Sequence, residues 1–229
     1  MKHATLIIGA GPGLGAALAR RFARNGDQII LAARNPAGLS DICDDFGAMS
    51  IACDASDPED VHSLFEQIDA EGLMLSTMIY NAGYYTRGAV TDLDPADVER
   101  VWQINAFGAF LCAQLAAKRM LGNGRGTMLF TGASAGVKGY ANSSAFAMGK
   151  FALRGLCQSL ARELAPQNIH IAHFMLDGLI HAPSRGAPYD DPAKCLDPDD
   201  IAESYFNIAN QPKSAWTWEQ ELRPWSESF

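Results

Sequence analysis

The sequence predicts an α/β protein whose parallel seven-stranded sheet is doubly wound, with helices packed on both faces. Three observations support this fold class. Short apolar runs alternate with segments of helical periodicity along the whole chain, an arrangement typical of α/β folds. Each run is almost continuously apolar, as expected of parallel strands that are covered on both faces. The first run enters a glycine-rich turn that opens a helix, which is how doubly wound domains begin.

The predicted elements follow from start and stop signals along the chain. Helices begin where a capping residue precedes proline, as at Asn35-Pro36 and Asp94-Pro95, and the second of these is expected to stop at Gly122. The strands are predicted at residues 6–8, 28–33, 49–53, 73–80, 127–131, 169–176 and 215–222. The helices are predicted from residue 14 onward and at residues 36–46, 58–68, 95–120, 144–164 and 201–208.

Composition indicates one domain spanning residues 1–229, with residues 132–142 as a loop and the Pro- and Asp-rich residues 182–198 as a mobile substrate lid. Hydrophobic residues make up 48% of the chain, enough for a sizeable core. The formal net charge is −8, and no basic stripe is present. Nucleic acid is therefore not an expected partner, because its binding depends on displacing counterions from phosphates.

The chain is expected to act in the cytoplasm, without a membrane or a metal. Its first strand follows Met1 so closely that no secretory signal is predicted, and the mostly apolar residues 106–117 are too few to span a bilayer. The five cysteines are widely spaced and form no C-x-x-C, so reduced thiols are expected. The five histidines lack metal-ligand spacing.

The turn after the first strand is predicted to bind a pyrophosphate. It contains Gly9, Gly11, Gly13, Leu14 and Gly15. Such a turn directs the first free N–H groups of a helix at one point, where the helix dipole favours negative charge. A Cβ would block both the positive φ of the turn and the close approach of a ligand. The alternative, glycines that only reverse the chain, is disfavoured by the strand before the turn and the helix after it.

Polar residues stand at the carboxyl ends of several predicted strands. They are Asp54, Asn81, residues 131–134 and Asp177. In doubly wound sheets, ligands bind outside these ends, at the point where the strand order reverses. The residues are therefore expected to line one crevice.

Several motifs occur together at characteristic spacings. They are the G-x-x-x-G-x-G register of Gly9, Gly13 and Gly15, the stretch Asn81-Ala82-Gly83, and the single residues Asn105 and Lys150. In this combination the chain resembles the short-chain dehydrogenase/reductases over nearly its whole length. The resemblance implies a Rossmann fold, a nicotinamide dinucleotide, and hydride transfer to or from a carbonyl or alcohol carbon of a small molecule. It also implies a homodimer or homotetramer.

The same resemblance assigns contacts to the cofactor, position by position. It implies a pyrophosphate loop, a carboxylate for the adenine amino group, a stretch that supports the ribose, and a backbone segment that holds the carboxamide. The implied cofactor-binding residues are Gly9, Gly11, Gly13, Leu14, Gly15, Arg34, Asp54, Ala55, Asn81, Ala82, Gly83, Lys150, Gly178 and Ile180.

The end of the second predicted strand indicates which dinucleotide is preferred. A site for NAD(H) needs an acid there to bond the ribose 2′-OH, whereas an Arg accommodates the 2′-phosphate of NADP(H). Here Ala33 stands in the place of the acid, and Arg34 follows. A charge-assisted bond from Arg to phosphate contributes about 1.5–3 kcal/mol, so NADP(H) is favoured and NAD(H) is possible. A solvated Arg34 is the alternative.

The chain departs from the family at its two catalytic hydroxyls. The family's proton donor is a tyrosine four residues before the lysine, assisted by a serine thirteen residues before the tyrosine. Counting back from Lys150 gives Phe146 and then Ala133. Since Phe146 has no ionisable proton, the ordinary mechanism should be disabled, although Lys150 and Asn105 are retained.

Two hypotheses follow from this departure. In the first, the protein is an oxidoreductase on a small carbonyl or alcohol that uses Lys150, Asn105 and another donor or solvent. The candidate donors are Ser134 and Tyr140, and more remotely Tyr84, Tyr85, Ser143, Ser144 and His181. In the second, it is a non-catalytic NADP(H)-binding sensor or assembly protein.

A third, remote hypothesis is a serine hydrolase. Residues 132–136 match G-x-S-x-G around Ser134, with Asp177 and His181 downstream in the required order. That motif demands a helix directly after the serine, whereas a loop is predicted there.

Apolar residues on the two longest predicted helices have two interpretations. Phe107, Phe110 and Phe151 either belong to the core or pack against a second subunit, as the family resemblance implies. Trp216, Trp218 and Trp225 near the carboxyl terminus are similarly open between the body of the protein and a neighbouring subunit.

Overall fold

Seven parallel strands form the central sheet, and two further strands form a small sheet beside it. The computed structural model describes residues 2–227. Its strands are β1 (His3–Ile8), β2 (Gln28–Ala33), β3 (Met49–Ala52), β4 (Met74–Tyr80), β5 (Gly126–Thr131), β6 (Ile169–Leu176), β7 (Leu179–Ile180), β8 (Cys195–Leu196) and β9 (Glu219–Leu222). The order of the central sheet is β3-β2-β1-β4-β5-β6-β9, with every pair parallel. The predicted fold class is confirmed.

Helices cover both faces of the sheet. They are α1 (Leu14–Ala23), α2 (Ser40–Phe46), α3 (Pro58–Ala70), α4 (Pro95–Trp102), α5 (Gly108–Gly122), α6 (Ser144–Leu164) and α7 (Pro198–Ala209). Successive residues of a strand point to opposite faces. Leu6 and Ile8 of β1 therefore pack with α3, α5 and α6, whereas Ile7 packs with α1 and α7.

The strand order reverses between β1 and β4. The strands β2 and β3 lie on the β1 side of this point, and β5, β6 and β9 lie on the β4 side. This is the point at which doubly wound sheets bind ligands. The loops that follow β1 to β6 open at this edge and carry most of the functional residues predicted from sequence, whereas Asn105 and Lys150 lie on helical segments.

The helix predicted at residues 95–120 is interrupted, so that prediction was wrong in detail. A π-helical turn, Gln103–Phe107, separates α4 from α5. The hydroxyl of Tyr80 donates a hydrogen bond of 2.5 Å to the carbonyl of Ile104 in this turn. A Cβ on Gly108 would lie only 2.4 Å from the carbonyl oxygen of Ala55. The wider turn thus depends on contacts to β4 and to the loop after β3, which periodicity along the chain does not reveal.

Two predictions near the carboxyl terminus also need correction. The strand predicted at residues 215–222 begins only at Glu219, because the preceding residues form a 3-10 turn and Trp216 stacks on His170 with 4.6 Å between ring centroids. Within the predicted lid, residues 195–196 form β8 and pair with β7. A strand of two residues is too short to leave a periodic signal in the sequence.

Candidate functional site

Two cavities open side by side at the carboxyl ends of the strands. The first, here called the switch-point cavity, has a volume of about 550 Å³ and is lined by the loops after β1, β2, β3 and β4. The second, here called the lysine cavity, has a volume of about 670 Å³ and is lined by α6 and by the loops after β4, β5 and β6. Gly83 and Tyr84 line both. The two cavities therefore form one continuous crevice.

The structure distributes the predicted site residues over this crevice. Those that line the switch-point cavity are Gly9, Arg34, Asp54, Ala55, Asn81, Ala82 and Gly83. Those that line the lysine cavity are Gly83, Ser134, Tyr140, Lys150, Gly178 and Ile180, together with Ala133 and Phe146. Gly11, Gly13, Leu14 and Gly15 carry the chain from the cavity wall into α1, and Asn105 lies beneath Tyr84.

Gly9 occupies a position that no other residue fits. Its φ is +82°, and a Cβ there would lie 2.4 Å from the backbone nitrogen of Ala82. The backbone of Gly9 is fixed from both sides, since its N–H donates to the carbonyl of Ala32 at 2.9 Å and its carbonyl accepts from the Asn81 amide at 3.0 Å. The absence of a side chain leaves a cradle of bare backbone at the switch point.

The N-terminus of α1 opens directly beyond this cradle. The helix has Gly13 as N-cap, without a side-chain cap, and its first turn contains no acid. The N–H groups of Leu14 and Gly15 have no partner among the described residues, so they and the positive end of the helix dipole are available to an anion. Gly15 permits the close approach of the helix to the loop, because a Cβ there would lie 2.9 Å from the Cα of Ala10. The cradle and the uncapped helix fit a pyrophosphate.

Arg34 and Asp54 both line the switch-point cavity, on the loops that follow the paired strands β2 and β3. Arg34 is exposed, and no carboxylate within residues 2–227 lies at ion-pair distance from its guanidinium. One oxygen of Asp54 accepts hydrogen bonds from the N–H and the hydroxyl of Ser56, at 3.0 and 2.6 Å. Partial burial acts to raise the pKa of Asp54, but the bonds from Ser56 and the charges of Arg34 and Arg100 outweigh it and lower the pKa. The carboxylate is therefore charged and fixed in place.

Asn105 lies in the π-helical turn and fixes the loop that both cavities share. Its side chain is fully buried, its Oδ1 accepts from the backbone N–H of Tyr84, and its Nδ2 donates to the carbonyl of the same residue, each at 2.9 Å. A Cβ on Gly149 would lie 3.1 Å from Asn105, so α6 packs closely here. Both ends of the Asn105 amide are thus engaged by the backbone of Tyr84.

Lys150 reaches the lysine cavity from the buried face of α6. Only 5% of its surface is exposed, and its Nζ donates a hydrogen bond of 2.8 Å to the carbonyl of Thr131. Burial lowers the pKa of Lys150 to about 8, because desolvation disfavours the charged ammonium. A Cβ built on Gly83 would lie 3.8 Å from this nitrogen, so the ammonium lies next to the shared wall of the two cavities.

Phe146 faces the same cavity with a ring that has no hydroxyl. Its centroid lies 5.7 Å from the Lys150 Nζ, and the ring of Tyr85 packs edge-on against it with 4.9 Å between centroids. Ala133 lines the same cavity. The two departures seen in the sequence therefore face the same space in the structure.

Other hydroxyl groups surround the cavity at varying depth. Ser143 is buried, Ser134 is half-buried and Tyr140 is 45% exposed, and all three line the cavity. Tyr84 is engaged elsewhere, because its hydroxyl donates to Asp97 at 2.7 Å. His181 is not among the described residues that line either cavity, and its backbone N–H bonds to the carbonyl of Leu196.

The carboxyl-terminal segment, residues 223–227, packs beside the lysine cavity. This contact was not predicted from the sequence. Arg223 pairs with the buried Asp177 at 3.0 Å, and a Cβ on Gly178 would lie 2.6 Å from Pro224. Glu227 then lines the cavity rim. No local pattern signals this contact, since it arises only when β9 pairs with β6.

The arrangement required of a serine hydrolase is not present. After Ser134 the chain forms a 3-10 turn, Ser134–Gly136, and the next helix begins only at Ser144. The strand-turn-helix context that exposes a nucleophilic serine is therefore missing.

Within residues 2–227, no group of three His, Cys, Asp or Glu side chains is placed to hold a metal ion. The same part of the chain contains no helix that is long and apolar enough to cross a bilayer. All five cysteines are unpaired.

The doubly wound sheet, the glycine cradle and the uncapped helix at the switch point define a Rossmann-type nucleotide-binding protein. The family model for short chain dehydrogenases matches residues 3–184, and the chain belongs to this family of oxidoreductases. Sepiapterin reductase of Chlorobaculum tepidum is 31% identical over 239 residues, covering 99% of this chain and 98% of that protein.

Solved structures agree with this assignment. A short-chain dehydrogenase from Rhodopseudomonas palustris is 32% identical with a TM-score of 0.85, covering 97% of this chain and 99% of that one. An alcohol dehydrogenase from the archaeon Thermococcus sibiricus, complexed with 5-hydroxy-NADP, has a TM-score of 0.88 at 21% identity and covers 99% of both chains.

Proposed function

We propose that the protein is an NADP(H)-dependent oxidoreductase that acts on a small, fairly apolar carbonyl or alcohol through an atypical site. One observation carries the proposal: the two cavities meet at Gly83 and Tyr84. A dinucleotide that lies across the switch point with its pyrophosphate at the glycine cradle extends toward Lys150. The family membership and the NADP-type ligand of the Thermococcus sibiricus structure support the proposal.

The chain's own residues would hold the dinucleotide as follows. The backbone from Gly9 to the start of α1 binds the pyrophosphate. Arg34 binds the 2′-phosphate, and Asp54 accepts a hydrogen bond from the adenine amino group. Lys150 holds the nicotinamide ribose, while the segment around Gly178 and Ile180 holds the carboxamide. When bound, the reduced dinucleotide supplies a hydride.

The lysine cavity would position the substrate and exclude water from the reaction. Phe146, Tyr85 and Leu176 give it an apolar wall, which suits a small hydrophobic carbonyl compound. The retained Lys150 places positive charge beside the oxygen that becomes negative during reduction, and such charge stabilises the transition state. Ser134 and Tyr140 are the hydroxyl groups on the wall that are able to orient the carbonyl oxygen.

A second candidate function is a non-catalytic NADP(H) sensor or assembly protein. Phe146 and Ala133 favour it, since both remove a hydroxyl from the lysine cavity. Positioned acid catalysis is worth about 10²–10⁴-fold in rate, so a site without any proton donor would bind dinucleotide and turn over negligibly.

One experiment tests the first function and separates it from the second. NADPH affinity is measured by fluorescence titration, and NADPH oxidation is followed with a carbonyl panel that includes para-nitrobenzaldehyde, diacetyl and sepiapterin. We expect tight binding and measurable turnover. Binding without turnover supports the sensor, and the Ala133→Ser, Phe146→Tyr double variant then gains activity. The absence of NADPH binding contradicts both functions.

We also propose that the protein forms a homodimer or homotetramer through the outer faces of α5 and α6. Phe110 is 43% exposed on α5, and Met148 and Phe151 are 57% and 46% exposed on α6. Trp102 and Phe107 stack with 5.4 Å between ring centroids and continue the same aromatic row. Contiguous apolar surface of this kind marks interfaces between proteins.

A further inference from the structure

We propose that Lys150 itself donates the proton in the reduction and accepts it in the oxidation, in place of the family's tyrosine. The inference rests on the proposed function and adds the group that moves the proton. Lys150 is buried, yet it lines the cavity. No other ammonium group among the described residues does so.

The geometry leaves the ammonium free to act on a substrate. A lysine ammonium carries three N–H donors, and one of them is fixed on the Thr131 carbonyl at 2.8 Å. That bond orients the other two donors away from β5, and the wall formed by Gly83 lies close to Nζ. At position 146, where the family's phenol would receive one of these donors, there is only a phenyl ring.

The other protic groups around the cavity are less suited to this role. Tyr84 donates to Asp97, and Asp177 is ion-paired with Arg223. Within residues 2–227, neither the Ser134 hydroxyl nor the Tyr140 hydroxyl has a hydrogen-bond partner. A hydroxyl without a neighbouring base or cation is a weak acid, because nothing stabilises its anion.

The surroundings of Lys150 bring its pKa close to neutral pH, where the group is able to exchange a proton. Burial lowers the pKa of Lys150 to about 8, so that the group is mostly protonated at neutral pH and still able to release its proton. The titratable groups packed around it do not change charge in that range. Burial raises the pKa of the Cys157 thiol on the same helix, and burial lowers the pKa of His173 on β6 to about 4. Glu219 on β9 is held by Arg154.

The step balances with the groups already named. The carbonyl carbon gains the hydride, and its C–O π pair moves onto the oxygen. That oxygen takes a proton from the Lys150 Nζ, which becomes a neutral amine and regains a proton from solvent. The products are the alcohol and the oxidised dinucleotide, and alcohol oxidation follows the same path in reverse.

The first test compares Lys150→Arg with Lys138→Arg, using NADPH and para-nitrobenzaldehyde as probes. Arginine keeps the positive charge and the donors but does not deprotonate. We expect kcat at saturating NADPH to fall about 10²–10⁴-fold in Lys150→Arg and to stay unchanged for the exposed Lys138. In the wild type, the reduction rate should decline as pH rises through about 8, because the ammonium is then lost.

The second readout needs no turnover. Acetic anhydride acylates an amine only in its neutral form, so the labelling of Lys150 in the NADPH complex, measured by mass spectrometry across pH, reports its protonation. We expect a midpoint near pH 8. A midpoint above about 10, the ordinary value for lysine, overturns the inference even if Lys150→Arg loses NADPH.

The outcomes separate this inference from the function on which it rests. Turnover by the wild type with an unchanged kcat and pH profile in Lys150→Arg overturns the donor role alone. No turnover by the wild type contradicts the proposed oxidoreductase, and the donor role with it.

Discussion

The side chain at position 146 determines what Lys150 can contribute. With a phenol there, a lysine serves mainly to lower the phenol's pKa and to hold the ribose. With Phe146, the ammonium is bounded by a ring at 5.7 Å and by a backbone carbonyl at 2.8 Å. Because the ring of Phe146 has no hydroxyl oxygen, we propose that the proton comes from Lys150 and not from residue 146.

We propose that a single residue, Arg34, also decides which dinucleotide is preferred. Arg34 is exposed and lines the switch-point cavity, and the residue before it is Ala33, which has no carboxylate. We expect Arg34→Ala to weaken NADPH binding by about 10- to 100-fold, the equivalent of the 1.5–3 kcal/mol of a charged bond to phosphate. Binding of NADH should hardly change, because it lacks the 2′-phosphate.

Fluorescence titrations with both dinucleotides measure this effect. Arg24→Ala serves as the matched control, since Arg24 is equally exposed but lies at the far end of α1. Equal losses for NADPH and NADH in Arg34→Ala would show that Arg34 does not read the 2′-phosphate.

At the scale of elements, a half-buried cluster of polar and charged side chains links β6, β9 and α6. Glu219 of β9 pairs with Arg154 of α6 at 2.6 Å and accepts from Nδ1 of His173 on β6 at 3.0 Å. His173 is fully buried, and its Nε2 has no partner among the described residues. A Cβ on Gly132 would lie 2.1 Å from that nitrogen, so glycine is needed where β5 ends.

This cluster predicts an acid-sensitive contribution to stability. Desolvation lowers the pKa of His173 to about 4, from an ordinary value of 6.5. Because the folded protein prefers the neutral imidazole, the contribution is present above pH 6.5 and is lost as the pH falls toward 4. The corresponding free energy is about 3 kcal/mol, at 1.4 kcal/mol per pKa unit.

Urea unfolding of the wild type and of His173→Gln between pH 7 and pH 4 checks this prediction. We expect the difference in unfolding free energy between the two proteins to shrink by about 2–3 kcal/mol over that range. The control His62→Gln alters a histidine that is 61% exposed on α3 and should show no such trend. A gap that stays constant with pH would contradict the account.

At the scale of the whole molecule, the proposed subunit contact makes a prediction about mass. We expect sedimentation at two or four times the mass of the 24.6 kDa chain. Phe151→Asp places a charge in the middle of the apolar face of α6 and should shift the protein toward monomer, because a buried unpaired charge is costly. Val90→Asp, at a residue that is 79% exposed outside this face, is the control. A monomeric wild type, or an unchanged mass in Phe151→Asp, would contradict the proposed interface.

Much of the fold was predictable because the signals that define it are local. The apolar runs located six strands of the central sheet, whereas β9 is the polar segment Glu219–Leu222. Asp94-Pro95 located the start of α4, and Asn35-Pro36 located the 3-10 turn Pro36–Leu39 that precedes α2; both capping side chains accept from the N–H groups that follow. The π-helical turn was not predictable, because it depends on the Tyr80 hydroxyl that reaches Ile104 from β4. The pairing of β7 with β8 was likewise hidden in segments of two residues each.

For the candidate site, the sequence indicated residue types and the structure supplied their neighbours. The positions of Gly9, Arg34 and Asp54 on one crevice follow from strand ends that meet at the same edge of a parallel sheet, whereas Phe146 and Lys150 reach the crevice from α6. The assignment of Asn105 to a catalytic role did not anticipate that both ends of its amide bind the Tyr84 backbone. Burial decides which pKa values shift. Burial depends on tertiary packing, which the sequence does not show directly.

The sequence by itself determined that this chain folds as a doubly wound domain with a glycine-rich turn, and that residues 133 and 146 are alanine and phenylalanine. Only the tertiary structure decided that Lys150 is buried against the carbonyl of Thr131 and opens on the same cavity as Phe146. The physical reason is the distance along the chain over which the interactions act. Turns, caps and strand periodicity act over a few residues, whereas desolvation of an ammonium depends on every element that packs around it.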